Sequence, residues 1–143
     1  MTDHPEPAGS VEYVDPDGLP KNPAFTQAVI VTGSVKTVYV GMQNAVDANG
    51  AIVGMGDIAA QTERTLMNVQ ICLEACGAGP EHLIQWNIYV AQGQPIQPGV
   101  EAFQRWWGNR PHAPLNSVLL VPDFARPGLL VGIDAIAVVP LVH

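Results

Sequence analysis

Basic residues are scarce in this sequence. Six lysines and arginines stand against thirteen aspartates and glutamates in a chain of 143 residues, which gives a formal net charge of -7. Nucleic-acid binding relies on Lys and Arg to neutralise phosphates, so the sequence excludes a general nucleic-acid binder. Charged residues of both signs make up only 13% of the chain, whereas hydrophobic residues make up 48%. This balance excludes a disordered chain, and because it leaves few polar residues to cover a monomer, it predicts an oligomer interface.

Cysteines and long apolar runs are also lacking. The two cysteines, Cys72 and Cys76, lie four residues apart in a predicted helix, where a disulfide would constrain almost nothing. Without a disulfide framework, a reducing cytoplasm is the expected compartment. No apolar run is long enough to cross a bilayer, and the start of the chain is acidic and rich in proline, unlike a signal peptide. We therefore expect no membrane partner.

Motifs for metal and cofactor binding are missing as well. The four histidines share no metal-ligand spacing, and two of them, His4 and His143, lie at or near the chain ends. The sequence has no nucleophile elbow, no phosphate-binding glycine loop and no zinc-ligand motif. We expect no metal and no other cofactor.

The first part of the chain favours irregular structure followed by strands. Residues 1–24 are rich in proline and glycine and predict an irregular arm, in which Val11–Val14 could form a short edge strand. Residues 25–143 are expected to form one domain. Ala28–Thr32 and Val35–Val40 flank a Gly-Ser pair, a pattern that predicts a β-hairpin.

Two helices and further strands are predicted after this hairpin. Asp57 is a good N-cap, and apolar residues then recur at helical spacing until Gly77. A shorter helix begins near Pro98 and ends at Gly108. Strands are predicted at residues 51–53, 84–90, 115–121 and 129–139, the first of them after a turn at 47–50. The order favours an α+β sheet with both helices on one face, which leaves the other face for a subunit interface.

Asp134 is the most informative single residue, because it interrupts the apolar strand Leu129–Val139. A carboxylate desolvated in such a strand could serve as a proton-transfer group. The alternative is a structural carboxylate that accepts hydrogen bonds from a neighbouring loop or subunit.

Other polar and aromatic residues have two interpretations each. Asn116 and Ser117 either orient a ligand or cap the start of their strand, and Gln43 with its neighbour Asn44 faces either a cleft or solvent. Trp107 is expected in the core, and Trp106 at an interface or a pocket wall. Arg105 and Arg110 either contact an anion or are solvated.

Several segments together resemble one known family. They are Phe25–Ala28, Val40–Gln43, the helix at 57–77 with Gln61, Thr62 and Asn68, and the closing segment Gly132–Val138. These segments are similar to the YjgF/RidA (Rid) family over residues 22–140. The resemblance implies a chorismate-mutase-like α+β fold, assembled as a homotrimer with a ligand site in each cleft between subunits.

The resemblance also implies a chemistry. Founding members of the Rid family hydrolyse reactive enamines and imines, such as 2-aminoacrylate, to keto acids and ammonia. In the family an arginine binds the substrate carboxylate, a glutamate on the last strand helps to activate water, and a tyrosine completes the pocket. Here Asn116 occupies the arginine's place, and an amide supplies neither the charge nor the fork of a guanidinium. Phe25 replaces the tyrosine, and Met42 stands where a glycine is usual. The acidic residue on the last strand is Asp134, in the place of the family's glutamate.

This divergent pattern implies a small-molecule hydrolase or deaminase that acts on an uncharged imine, enamine or amide, with Asp134 as the catalytic group. The implied substrate-binding residues are Phe25, Met42, Gln43, Asn116, Ser117 and Val118. The alternative is a non-catalytic ligand-binding or chaperone-like trimer. Ribonuclease activity, which is also assigned to some family members, fits poorly with the net charge of -7.

Overall fold

The computed structural model describes residues 7–142, so His4, His143 and the first six residues of the predicted arm lie outside it. Within the described residues the chain forms six strands and two α-helices. In chain order they are β1 (Ser10–Val14), β2 (Ala28–Thr32), β3 (Val35–Gln43), α1 (Ile58–Ala75), β4 (Leu83–Ala91), α2 (Gln97–Trp107), β5 (Leu115–Val121) and β6 (Val131–Pro140). No helix in residues 7–142 is long and apolar enough to span a membrane.

A four-stranded mixed sheet forms the centre of the fold, in the order β3-β6-β4-β5. Strand β6 is antiparallel to both of its neighbours, whereas β5 runs parallel to β4 at the sheet edge. Helix α1 packs on β3 and β6, and α2 packs on α1. The predicted α+β architecture with two helices on one sheet face is therefore confirmed.

Helix α1 begins and ends where its capping residues predict. The Asp57 carboxylate accepts a hydrogen bond from the Ala60 N–H at 3.1 Å, and Gly77 has a φ of 73°, which glycine adopts without strain. Lys36 Nζ donates to the carbonyl of Cys76 at 2.6 Å and to that of Gly77 at 3.2 Å. A cation at this end also complements the helix dipole.

Aromatic side chains join α2 to the sheet. Trp86 on β4 is 1% exposed and makes an edge contact with Phe103, with ring centroids 4.8 Å apart. Trp107 is buried, as the sequence predicted, and Trp106 is partly buried against the core. The Trp106 indole N–H donates to Gln70 on α1 at 3.0 Å, which ties the two helices together.

The predicted hairpin of β2 and β3 is wrong. β2 pairs with β1, from Ser10 opposite Thr32 to Val14 opposite Ala28, so the predicted edge strand at Val11–Val14 is confirmed. β3 pairs instead with β6. The start of the described chain separates the two strands, because the Ser34 N–H donates to the Pro7 carbonyl at 3.1 Å.

The predicted strand at 51–53 is reduced to one bridge, between Ile52 and Val46. The turn before it is confirmed. The Asp47 carboxylate accepts hydrogen bonds from the N–H groups of Asn49 and Ala51 at 2.9 and 3.0 Å. These side-chain bonds satisfy backbone donors that a longer strand would have paired.

Candidate functional site

A polar cluster lies on the sheet face that the helices leave uncovered. Asp134 on β6 is directly opposite Asn87 on β4, and Asn87 Nδ2 donates to Asp134 Oδ1 at 2.9 Å. Tyr89 lies two residues further along β4, and its hydroxyl donates to Asp134 Oδ2 at 3.3 Å. Successive side chains of a strand point to opposite faces, so these three share the face away from the helices. Asn87 and Tyr89 are themselves partly buried, so their hydrogen bonds hold the Asp134 carboxylate in one orientation.

The electrostatics of this cluster favour a neutral phenol beside a carboxylate. Partial desolvation raises the pKa of Tyr89 above its usual value of 10.0, and the charge and hydrogen bond of Asp134 raise it further. Each carboxylate oxygen of Asp134 accepts one side-chain hydrogen bond and keeps a further lone pair. Asp134 can therefore accept a hydrogen bond or a proton from a bound molecule without losing either partner.

Two of the residues predicted to bind substrate flank this cluster. Ser117 on β5 lies opposite Asn87, so Asp134, Asn87 and Ser117 form a row across three strands. Met42 lies at an irregularity of β3. Its sulfur is so close to Gly132 that a Cβ atom on residue 132 would lie only 2.8 Å from it. Gln43 lies close by in sequence, but its Nε2 already donates to the Gly41 carbonyl at 3.1 Å.

Asn116 and Val118 lie on the opposite side of the sheet. Both line a cavity of about 140 Å³ between the helices and the sheet. Asn116 Oδ1 is buried and has no hydrogen-bond partner among residues 7–142. Within one subunit these two side chains and Asp134 are therefore separated by the sheet.

Phe25 lies in a third place, a cleft of about 530 Å³ between the arm and the segment before β5. Tyr13 and His112 form part of its wall, with stacked rings whose centroids are 4.8 Å apart. Burial raises the pKa of the Tyr13 phenol, whose hydroxyl donates to the Leu83 carbonyl at 3.0 Å.

The two arginines near α2 are engaged within the subunit. Arg105 donates to the Glu63 carboxylate at 2.8 Å in an exposed ion pair. Arg110 lies 5.5 Å from the ring centre of Trp106 and donates to the carbonyls of Trp106 and Trp107. Neither guanidinium reaches Asp134 among the contacts of the described residues.

Sequence reasoning identified Asp134 but not its two partners. Asn87 and Tyr89 were visible only as the polar half of the alternation in β4. The signal that could have found them is the pairing of β4 with β6, because the register puts Asn87 opposite Asp134.

Comparison with known proteins agrees with this architecture. The family model described as Endoribonuclease L-PSP matches residues 19–139. The structure of YyfB from Yersinia pestis, a protein of the conserved Rid family, superimposes with a TM-score of 0.76 at 30% identity, covering 89% of this chain and 97% of YyfB. The chain belongs to the Rid family. The resemblance expected from the sequence is thus confirmed.

Other solved structures share the fold at lower identity. A Mycobacterium tuberculosis member of the YjgF/YER057c/UK114 family is 26% identical, with 91% of this chain and 100% of that one covered and a TM-score of 0.59. Escherichia coli TdcF, solved with bound serine, is 21% identical, with 71% and 80% covered and a TM-score of 0.64. No curated protein sequence matches this chain.

Proposed function

We propose that this Rid protein is a cytoplasmic hydrolase or deaminase of small molecules, acting on an uncharged imine, enamine or amide in a cleft between the subunits of a homotrimer. The observation that carries the proposal is the Asp134 carboxylate, which Asn87 and Tyr89 hold on the uncovered sheet face of a Rid fold. A serine-bound Rid-fold protein from Escherichia coli supports a small-molecule ligand.

The exposed apolar side chains of that face support the assembly. Tyr39 is 77% exposed, Leu119 is 50% exposed and Met42 is 46% exposed. Apolar side chains clustered on a sheet face are typical of a surface that is covered by another copy. A subunit seated there would enclose Asp134 and reduce its access to bulk water, which strengthens electrostatic interactions in the cleft.

The proposed reaction uses Asp134 as a base and then as an acid. As the water oxygen attacks the imine carbon, the Asp134 carboxylate takes a proton from the water and the electrons of the carbon–nitrogen π bond move to the nitrogen. Asp134 then gives this proton to the nitrogen, which forms the neutral carbinolamine. In the second stage Asp134 takes the O–H proton of the carbinolamine and passes it to the amine nitrogen, so that the C–N bond breaks, ammonia leaves, the carbonyl forms and the carboxylate is restored.

An uncharged substrate fits the groups present. Asn116 stands where the family resemblance expects the arginine that binds a carboxylate. Arg105 is paired with Glu63, and Arg110 is bonded to backbone carbonyls. A carboxylate on the substrate would therefore find no free guanidinium among these groups.

The test is ammonia release from imines generated in place by an oxidase. An amine oxidase supplies imines without a carboxylate, and an amino-acid oxidase supplies imines with one. We expect acceleration above the spontaneous rate with the first set. Asp134→Asn keeps the size and hydrogen-bonding shape of the side chain but should slow the reaction by about 100-fold or more. The matched control is Asp123→Asn, an exposed carboxylate in the loop between β5 and β6.

Equal acceleration by the Asp134→Asn variant would remove Asp134 from the reaction. Absence of acceleration with every imine from both oxidases would contradict the proposed deaminase activity. The exposed apolar face would then favour the alternative, a non-catalytic ligand-binding or chaperone-like trimer.

A further inference from the structure

The Asp134 carboxylate has no cationic partner within the described part of its own subunit. It is partly buried, and it takes part in none of the ion pairs of residues 7–142. Its two hydrogen bonds come from the neutral side chains of Asn87 and Tyr89. Carboxylates that lose part of their hydration in a folded protein are normally paired with a cation. The negative charge of Asp134 is therefore left without a counter-ion.

The lysines and arginines of the chain are engaged elsewhere. The sequence contains six of them, and each has a hydrogen-bond or ion-pair partner in another part of the subunit: Lys21, Lys36, Arg64, Arg105, Arg110 and Arg126. No lysine or arginine is left to face Asp134. A cation beside this carboxylate would therefore come from outside the subunit.

The free polar atoms of the cluster are mainly hydrogen-bond acceptors. Tyr89 uses its only donor on Asp134 Oδ2, so its phenol oxygen is left with lone pairs. Asn87 uses one N–H on Asp134 Oδ1, and its own amide oxygen accepts no hydrogen bond among residues 7–142. Each carboxylate oxygen also keeps a lone pair. A ligand that matches this cluster supplies several donors, and a positive charge on those donors strengthens each hydrogen bond.

A protonated primary amine has this chemistry, because its ammonium group carries three N–H donors on one charged atom. A metal ion fits less well, since no group of three or more metal-binding side chains occurs among the described residues. Apolar side chains lie beside the cluster on the same sheet face. Leu119 is opposite Tyr89 on β5, and Ile136 follows Asp134 by two residues on β6.

We propose that the Asp134 cluster binds the protonated amino group of a small primary amine that carries no carboxylate. The N–H groups of the ammonium are directed at oxygens of Asp134, Tyr89 and Asn87, and the apolar part of the amine lies toward Leu119. The inference rests on the proposed function, because the amine occupies the site of the imine. An amine with the carbon skeleton of the imine substrate therefore competes with it.

The first experiment measures binding by calorimetric titration of the protein in its native oligomeric state. The buffer is potassium phosphate without ammonium or Tris, so that no other amine competes. The probe is isobutylamine, which is valine without its carboxylate. We expect isobutylamine to bind, and valine to bind roughly tenfold more weakly or worse, because its carboxylate would lie near Asp134 without a cation.

Two further probes separate charge from hydrogen bonding. Isobutanol has nearly the shape of isobutylamine but no charge, and tetramethylammonium has the charge but no N–H donor. Each should bind roughly tenfold more weakly than isobutylamine or worse, because a charged donor makes the stronger hydrogen bond to a carboxylate.

Substitutions test the residues of the cluster. Asp134→Asn keeps the shape of the side chain but removes its charge, and it should weaken the binding of isobutylamine roughly tenfold or more. Tyr89→Phe removes one acceptor and keeps the carboxylate, so it should weaken binding roughly fivefold. Asp123→Asn removes an exposed carboxylate from the loop between β5 and β6 and should leave binding unchanged. Circular dichroism and sedimentation velocity establish that each variant is folded and assembled.

Three results would overturn the proposal. One is a wild-type protein that does not bind isobutylamine at millimolar concentration. Another is an Asp134→Asn or Tyr89→Phe variant, folded and assembled, that binds it as tightly as the wild type. The third is binding of valine, isobutanol or tetramethylammonium that equals the binding of isobutylamine.

The imine assay distinguishes a failure of this inference from a failure of the proposed reaction. Where the imine of isobutylamine is hydrolysed, added isobutylamine should raise KM and leave kcat unchanged. Amine binding that depends on Asp134, without ammonia release from any imine, would contradict the reaction and support this inference. Ammonia release that depends on Asp134, without amine binding, would support the reaction and overturn this inference.

Discussion

At the scale of single residues, Asp134 and Tyr89 depend on each other. Tyr89 donates to the carboxylate, and the carboxylate in turn makes ionisation of the phenol less favourable. The raised pKa means that the folded state holds the phenolic proton more tightly than the unfolded chain does. The resulting stability is fully present below the ordinary phenol pKa of 10.0 and is lost as the pH rises through the folded value.

We therefore predict that removing the charge of Asp134 lowers the pKa of Tyr89. In an Asp134→Asn variant, the titration of tyrosinate by ultraviolet absorbance should begin at lower pH than in the wild type. A Tyr89→Phe variant identifies which part of the absorbance change belongs to Tyr89. In the same variant the free energy of unfolding should fall less steeply above pH 10 than in the wild type. An unchanged titration in Asp134→Asn would show that the two side chains are not in contact in solution.

Sequence reasoning reached one member of this cluster and not the others. Asp134 could be recognised from the sequence because a carboxylate within an apolar strand is unusual, whichever strand lies beside it. Its pairing with Asn87 depends on which strand lies beside β6, and that is decided by the tertiary fold. For the same reason the sequence could not show that Asn116 and Asp134 lie on opposite faces. The substrate-binding residues that the family resemblance implies stay predictions.

At the scale of elements, helix α1 organises the loops around the sheet through buried polar side chains. Gln61 is fully buried, and its amide nitrogen donates to the carbonyls of Gly54 and Gly128 at 3.2 and 2.8 Å. Its amide oxygen accepts the Leu130 N–H at 2.8 Å. One side chain thus joins the loop before α1 to the loop before β6.

Replacing Gln61 should therefore destabilise the fold strongly. Gln61→Leu keeps the approximate size but removes the hydrogen bonds of the Gly128 carbonyl and the Leu130 N–H, whereas the Gly54 carbonyl keeps the Asp57 N–H at 2.9 Å. We predict a loss of roughly 3 kcal/mol in the free energy of unfolding. Gln104→Leu on the exposed side of α2 serves as the control and should stay within about 0.5 kcal/mol. Urea denaturation followed by tryptophan fluorescence measures both. A small loss in Gln61→Leu would mean that water replaces the amide.

The elements that the sequence predicted well are those whose signals are local. Helix α1 carries its own N-cap at Asp57 and its own stop at Gly77, and β4 shows alternation along its length. The prediction of a hairpin at Gly33 was wrong because the partner of a strand is decided by contacts with distant parts of the chain. The Ser34 N–H donates to the Pro7 carbonyl, and the Ser34 carbonyl accepts from the Leu141 N–H, so this residue bonds to distant segments that no turn motif reveals.

At the scale of the whole molecule, the two faces of the sheet are covered differently. The helices pack on one face, and the other face presents apolar residues around a fixed carboxylate. If a second copy covers this face, its apolar residues are buried in the assembly. That burial would explain why so few residues of the chain are charged. The site of Asp134 would then exist only in the assembled protein.

A charge placed on the uncovered face should therefore separate the subunits. Leu119 on β5 is 50% exposed on that face, and Ile71 on α1 is 53% exposed on the helix side. We predict that Leu119→Glu gives a monomer in sedimentation velocity, because an interface would have to bury an unpaired carboxylate. Ile71→Glu, with the same change of charge at a similar exposure, should keep the wild-type assembly. Assembly that survives Leu119→Glu but not Ile71→Glu would place the interface on the helices and leave Asp134 facing solvent, where no cleft between subunits could form around it.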